Sequence, residues 1–192
     1  MTQAIALDTG HSRVGYINEY FNKFATNGEV RVSNPDENIK NEIEYYIFID
    51  YSEYLVGYMI IEKEKIQYII PITAKLHHYR DIKNKKSYIK SIKKVLDKNR
   101  IEQYLMKCKI KGLKDNLSVF VDIIEFIKRY NNCKIFASVD NNQFNSFVKL
   151  LDIVPHKNHV ILVKESDLKK GSVEYKLSLI IDTMLNIERM SK

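Results

Sequence analysis

The chain has 192 residues, 45% of them hydrophobic and 29% charged, with a formal net charge of +7. That balance belongs to a globular chain long enough for one sizeable core. No apolar run approaches the ~20 residues that cross a bilayer. The start MTQAIALDTGHSR lacks the basic-then-apolar order of a secretory signal, and no glycine-rich phosphate loop or dinucleotide fingerprint is present.

The first element in chain order is a helix over 12–26, where Val14, Ile17, Phe21 and Phe24 share one stripe. Ser12 can cap its start and Asn27-Gly28 can end it. The stretch 29–43 is polar and contains the turn-forming SNPDEN. Together these predict an acidic N-terminal extension over 1–43, a candidate surface for a second copy or a protein partner. The main domain is expected over 44–192. Three apolar runs open it: YYIFIDY (45–51), YLVGYMIIE (54–62) and IQYIIPIT (66–73). The breaks between them, Ser52-Glu53 and Lys63-Glu64-Lys65, are short and polar, which predicts three consecutive antiparallel strands buried on both faces. Pro71 places the third at an edge or at its own end.

An amphipathic helix is expected over 80–98, with Ile82, Ile89, Ile92, Val95 and Leu96 among lysines. Residues 101–113 read equally as a short strand or a helix end. A helix over 118–130 turns Val119, Ile123, Phe126, Ile127 and Tyr130 inward, with Ser118 as its cap. A strand over 134–140, a helix over 142–151, a strand over 159–166 and a final helix over 170–188 complete the chain. This order predicts an α/β fold: a mixed five-stranded sheet with helices on both faces and right-handed crossovers between parallel strands. The two cysteines, Cys108 and Cys133, lie on unlike segments without metal-ligand spacing. They are expected to be free thiols of a cytoplasmic protein.

Charge is unevenly spread. Residues 80–114 hold thirteen Lys/Arg against three acids, a local +10 that leaves −3 for the rest of the chain. Such an excess can track a phosphate backbone. Lys83, Lys86, Lys90, Lys93 and Lys94 are therefore candidate contacts to DNA or RNA. The competing reading is an ordinary solvated helix face.

The acids occupy suggestive places. Asp50 closes the first apolar run between Ile49 and Tyr51, and Asp140 closes the strand KIFASVD. In such a sheet, sites gather at the carboxyl ends of the strands. Asp182 interrupts LSLIIDTML in the final helix, where Glu174, Ser178 and Asp182 share one stripe by their four-residue spacing. If that stripe lies over the strand ends, three or four acids converge. Converging carboxylates repel, and an unpaired buried charge is costly. A hard divalent cation relieves both, and two such ions ~4 Å apart activate water and stabilise the leaving oxygen in phosphodiester cleavage. Each acid also has a plain structural reading. Asp140 can cap the next helix, Asp50 can form a turn, and Asp182 can face outward or pair with a lysine. Glu165 and Asp167 read as acids at a helix N-terminus. His77, His78, His156 and His159 read as surface or loop residues. Tyr45, Tyr46, Tyr51, Tyr54 and Tyr58 read as core aromatics before base-stacking ones.

This order of elements resembles the ribonuclease H-like superfamily, in which a three-stranded meander precedes alternating helices and strands. Residues 48–61, FIDYSEYLVGYMII, are similar to the first motif of RuvC-type resolvases: Asp50, then Ser52, then Gly57-Tyr58 entering the second strand. The resemblance spans 44–188 and rests on order and placement. It implies metal-dependent cleavage of nucleic acid, with Asp50, Asp140 and Asp182 as catalytic ligands of Mg2+ or Mn2+ and Glu174 as a substitute. Tyr51 and Ser52 stand where a glycine usually follows the first aspartate. The helix after the third strand is basic and supplies no second acid. Some members of the superfamily have lost activity, so the alternative is a non-catalytic nucleic-acid-binding or protein-interaction module.

Overall fold

A computed structural model of the chain describes residues 29–32, 42–151 and 159–191, with 29–32 and Leu150 described by their backbone alone. The helix expected over 12–26, and the partner surface it offers, lie outside the described residues. The sheet forms around the two most apolar runs. β2 (Tyr45–Ser52) and β3 (Leu55–Glu62) pair antiparallel from Tyr45↔Glu62 to Ser52↔Leu55. Glu53 takes the left-handed φ (49°) in the tight hairpin between them. β3 is buried at every position from Leu55 to Ile61. That explains a run without polar alternation: both faces of the strand are covered.

β4 (Lys107–Gly112) pairs antiparallel with β3, and β5 (Cys133–Ser138) pairs parallel with β2. β6 (Val160–Lys164) pairs parallel with β5. β1 (Glu29–Val32), from the stretch expected to be an extension, adds an antiparallel strand along β6. The result is a mixed, open sheet in the order β1-β6-β5-β2-β3-β4. Five strands were expected; four of them are in the sheet, and β4 and β1 bring it to six.

Alternate residues along each strand feed two cores. Ile47, Ile49, Val56, Tyr58 and Ile60 point to one face, where α3 (Asn116–Arg129) and α4 (Asn141–Leu151) cover them. Phe48, Leu55, Met59 and Ile61 point to the other, beneath α1 (Ile66–Thr73), α2 (Lys85–Lys98) and α5 (Val173–Met190). Tyr58 is fully buried, and its hydroxyl donates to Asp122, which also pairs with Lys107 and Lys109. Tyr45 packs edge-on against Phe126 and Tyr130. The core reading agrees with the structure for Tyr45, Tyr46, Tyr51 and Tyr58, but Tyr54 sits in the hairpin turn and is 45% exposed; both cysteines are free. Among the described residues, no helix is long and apolar enough to cross a membrane.

The main correction concerns IQYIIPIT. It is helix α1, not a strand, entered through a 3-10 turn at Lys63–Lys65. The place beside β3 belongs to β4, drawn from the ambiguous segment 101–113. Buried Ile69, Ile72 and Thr73 show the helical i, i+3, i+4 spacing, and Pro71 is turned to solvent. An eight-residue apolar run satisfies both periodicities, so competition for the sheet edge settles it. A smaller correction is Ser118: the helix starts at Asn116, and the Ser118 hydroxyl donates back to the Asp115 carbonyl.

Candidate functional site

β2 and β5 run parallel, so their carboxyl ends emerge on the same edge, with Asp50 opposite Ser138 in the register. Both residues lie on the α5 side of the sheet, by alternation with Phe48 and Phe136. The Asp50 carboxylate accepts the Tyr51 N–H at 2.7 Å and the Ser138 hydroxyl. It is 8% exposed. Burial, then the negative charges of Glu165 and Asp182, push its pKa up to about 8.

Asp182 comes from the middle of α5. That helix is buried from Leu177 to Thr183 because it lies between the sheet and α1. This position explains the near-continuous apolar sequence around the aspartate. Its Oδ2 accepts the Tyr79 N–H at 3.0 Å, and its Oδ1 accepts the Asn186 side-chain amide at 2.9 Å. His78 Nδ1 stands 3.9 Å from Oδ2. Burial raises the Asp182 pKa and Glu165 adds to the rise; the Tyr79 N–H, His78 and Asn186 oppose it. Glu165 follows β6 in a short 3-10 turn and is half-buried. Three carboxylates therefore share one field at the strand ends. Sequence reasoning treated Glu165 as a helix-terminal acid and His78 as a loop residue. Glu165 had a usable signal in its place directly after a strand; His78 had none.

The other two expected acids are placed elsewhere. Asp140 caps α4: its Oδ1 accepts the Gln143 N–H at 2.8 Å, and the Gln143 side-chain oxygen accepts the Asp140 N–H in turn. Its charge acts on Tyr51, whose hydroxyl burial and Asp140 push up to about 12. Tyr51 belongs to the opposite face of β2 from Asp50. Ser138, not Asp140, is the β5 residue that meets Asp50. Glu174 is half-buried in the first turn of α5 and acts on Tyr46. Eight residues of helix set it about 12 Å along the axis from Asp182.

Ser138, which bonds Asp50, and His78, which stands 3.9 Å from Asp182, both line a cleft of about 460 Å3 together with Glu165, Arg80 and Lys170; neither aspartate lines it directly. Among the described residues, no group of three or more His, Cys, Asp or Glu side chains is drawn together closely enough to hold a metal ion by itself. The donor set is nonetheless all oxygen. Burial raises the pKa of both of its carboxylates, Asp50 and Asp182, despite their hydrogen bonds. That set suits Mg2+, which takes one or two carboxylates and completes its shell with water and substrate phosphate.

Lys86, Lys90, Lys93 and Lys94 line the exposed face of α2, opposite buried Ile89, Ile92 and Leu96, and exposed Lys83 precedes the helix. The start of α2 adjoins the site: Lys85 lies 4.8 Å over the ring of Tyr79, whose backbone holds Asp182. Comparison with known proteins finds no matching family model and no matching curated protein.

Proposed function

We propose that this chain is a divalent-metal-dependent nuclease on a ribonuclease H-like fold, acting on DNA or RNA. The observation that carries the reading is that Asp50, from the first strand of the 44–192 segment, and Asp182, from its last helix, each bond or approach a residue lining the same cleft, Ser138 and His78. Both carboxylates are nine-tenths buried. The antiparallel β2-β3-β4 group joined by parallel β5 and β6 supports the fold resemblance.

Asp50 and Asp182 would hold Mg2+ or Mn2+, with Glu165 as the nearest further carboxylate. When bound, the ion polarises a phosphoryl oxygen and lowers the pKa of its water. The chain's own residues prepare the place. Ser138 and the Tyr51 N–H orient the Asp50 carboxylate, while Tyr79 and Asn186 fix both oxygens of Asp182. The exposed lysines of α2, whose first residue Lys85 lies over the Tyr79 ring, would form a track for the phosphate backbone.

The test is incubation with single- and double-stranded DNA and RNA in Mg2+, Mn2+ or EDTA, using wild type, Asp50→Asn and Asp182→Asn. Metal-dependent cleavage lost in both variants is expected; no cleavage of any form rejects the reading. One observation favours the alternative of a non-catalytic binding module: the acid that the resemblance implies on this strand, Asp140, caps α4, and the β5 residue opposite Asp50 is Ser138. Salt-sensitive nucleic-acid binding that survives Asp50→Asn, without cleavage, would select it.

A further inference from the structure

The cleft at the strand ends is lined by charges of both signs. Arg80 enters it from the turn Tyr79–Asp81 and Lys170 from the segment ahead of α5. Asp81 and Glu165 line the same cleft. Yet, among the described residues, neither Arg80 nor Lys170 forms an ion pair with a carboxylate. An arginine in reach of a carboxylate ordinarily makes the bidentate pair. Arg80 instead lies beside an imidazole: its backbone N–H donates to His78 Nδ1 at 3.3 Å, and its Nη2 lies 3.3 Å from His78 Nε2, which in that tautomer carries the ring proton and does not accept from it. A guanidinium has five N–H donors, so this arrangement leaves donors for a ligand. The hydroxyls of Ser138, Ser166 and Tyr175 border the same space.

Two cations and two acids that line one cleft without pairing among the described residues suit a ligand that is itself a cation–anion pair, the metal-bound phosphate. We infer that Arg80 and Lys170 form a phosphate-binding site, and that they position the substrate phosphodiester beside Asp50 and Asp182. The inference rests on the nuclease reading for its second half; the anion site is testable without it. Arg80 is suited to the task because its planar fork matches two phosphate oxygens at once, whereas Lys170 contributes a point charge.

The experiment is a phosphorus-31 NMR titration of inorganic phosphate against the full chain, first in EDTA and then with Mg2+. Wild type is expected to bind phosphate. The Arg80→Ala/Lys170→Ala double variant should bind at least ten-fold more weakly, Arg80→Lys should lie between, and Lys149→Ala on α4 should match wild type. Both substituted residues are exposed, and an unchanged thermal melt confirms that the double variant is folded. Phosphate binding that is absent in wild type, or equal in the double variant, overturns the inference. The metal arm separates the two claims. Binding that needs Arg80 and Lys170 but ignores Mg2+ keeps the anion site and removes the metal reading. Mg2+ binding lost in Asp50→Asn, alongside phosphate binding indifferent to Arg80 and Lys170, does the reverse.

Discussion

Asp50 and Gly57 face each other across the β2–β3 hairpin, and the bare backbone of Gly57 is what α5 rests on. A Cβ at Gly57 would lie 3.1 Å from both Ile181 Cδ1 and Leu185 Cδ2, and 3.2 Å from Ile110 Cγ1. The missing side chain thus lets α5 approach the sheet closely enough to bring Asp182 into the field of Asp50.

Filling that space should separate the two acids. Gly57→Leu is expected to lower the unfolding free energy by about 1–3 kcal/mol, the usual cost of overpacking. It should also weaken Mg2+ binding. Urea melts and a Mg2+ titration on the same variant check both parts; a stable variant with unchanged Mg2+ affinity would show that the close approach is not needed.

The raised pKa of Asp50 makes stability depend on pH in a stated direction. Its carboxyl moves from 3.8 to about 8 on folding, chiefly by burial and then through Glu165 and Asp182. Between those values the folded chain holds a proton that the unfolded chain has released. This group's contribution to stability is therefore fully present below pH ~4 and lost as pH rises through 8, with a slope of at most about 1.4 kcal/mol per pH unit. Urea unfolding in EDTA from pH 5 to 9 should show the fall, and Asp50→Asn should flatten it.

Metal should reverse the same cost. At pH 7, Mg2+ added to EDTA-treated protein is expected to raise the melting temperature through binding to the folded state. It should also release protons, because the carboxylates must ionise to bind. Calorimetry in buffers of different ionisation enthalpy counts those protons. Asp50→Asn and Asp182→Asn should abolish both the release and the stabilisation.

Asp140 should behave as a helix cap. Asp140→Ala is expected to cost about 1 kcal/mol of stability, within the ~0.5–2 kcal/mol range for removal of an N-cap. Mg2+ binding and cleavage should be unchanged. A folded Asp140→Ala protein that no longer responds to Mg2+ would return Asp140 to the site.

The α2 lysines give a salt signature. Replacing Lys86, Lys90, Lys93 and Lys94 with alanine should make the plot of log affinity against log salt shallower for a single-stranded oligonucleotide. The change should be about 0.7 in slope for each phosphate that the face no longer neutralises. Fluorescence anisotropy across a salt series measures it. An unchanged slope would leave this face as ordinary solvated surface.

Much of the architecture is legible along the chain. The strands at 45–51, 54–62, 134–140 and 159–166 and the helices over 80–98, 118–130, 142–151 and 170–188 are legible from local pattern, although two of the helices begin later, at Lys85 and Val173. The structure keeps all of them within a few residues. IQYIIPIT is ambiguous because eight apolar residues suit a strand or a helix. The answer comes from β4, whose lysine-bearing sequence takes the sheet edge instead. The site divides in the same way. Asp50 at a strand end and Asp182 in an apolar helix are visible as misplaced charges. What replaced Asp140 with Ser138, left Glu174 aside, and recruited Glu165 and His78 is not visible, because it depends on strand register and on which face a turn presents. Local sequence determines where an apolar face or a buried charge must lie. Only the packing of segments distant in sequence, such as those of Asp50 and Asp182, decides which charges meet, since their mutual field weakens with separation and is slight until the chain has closed.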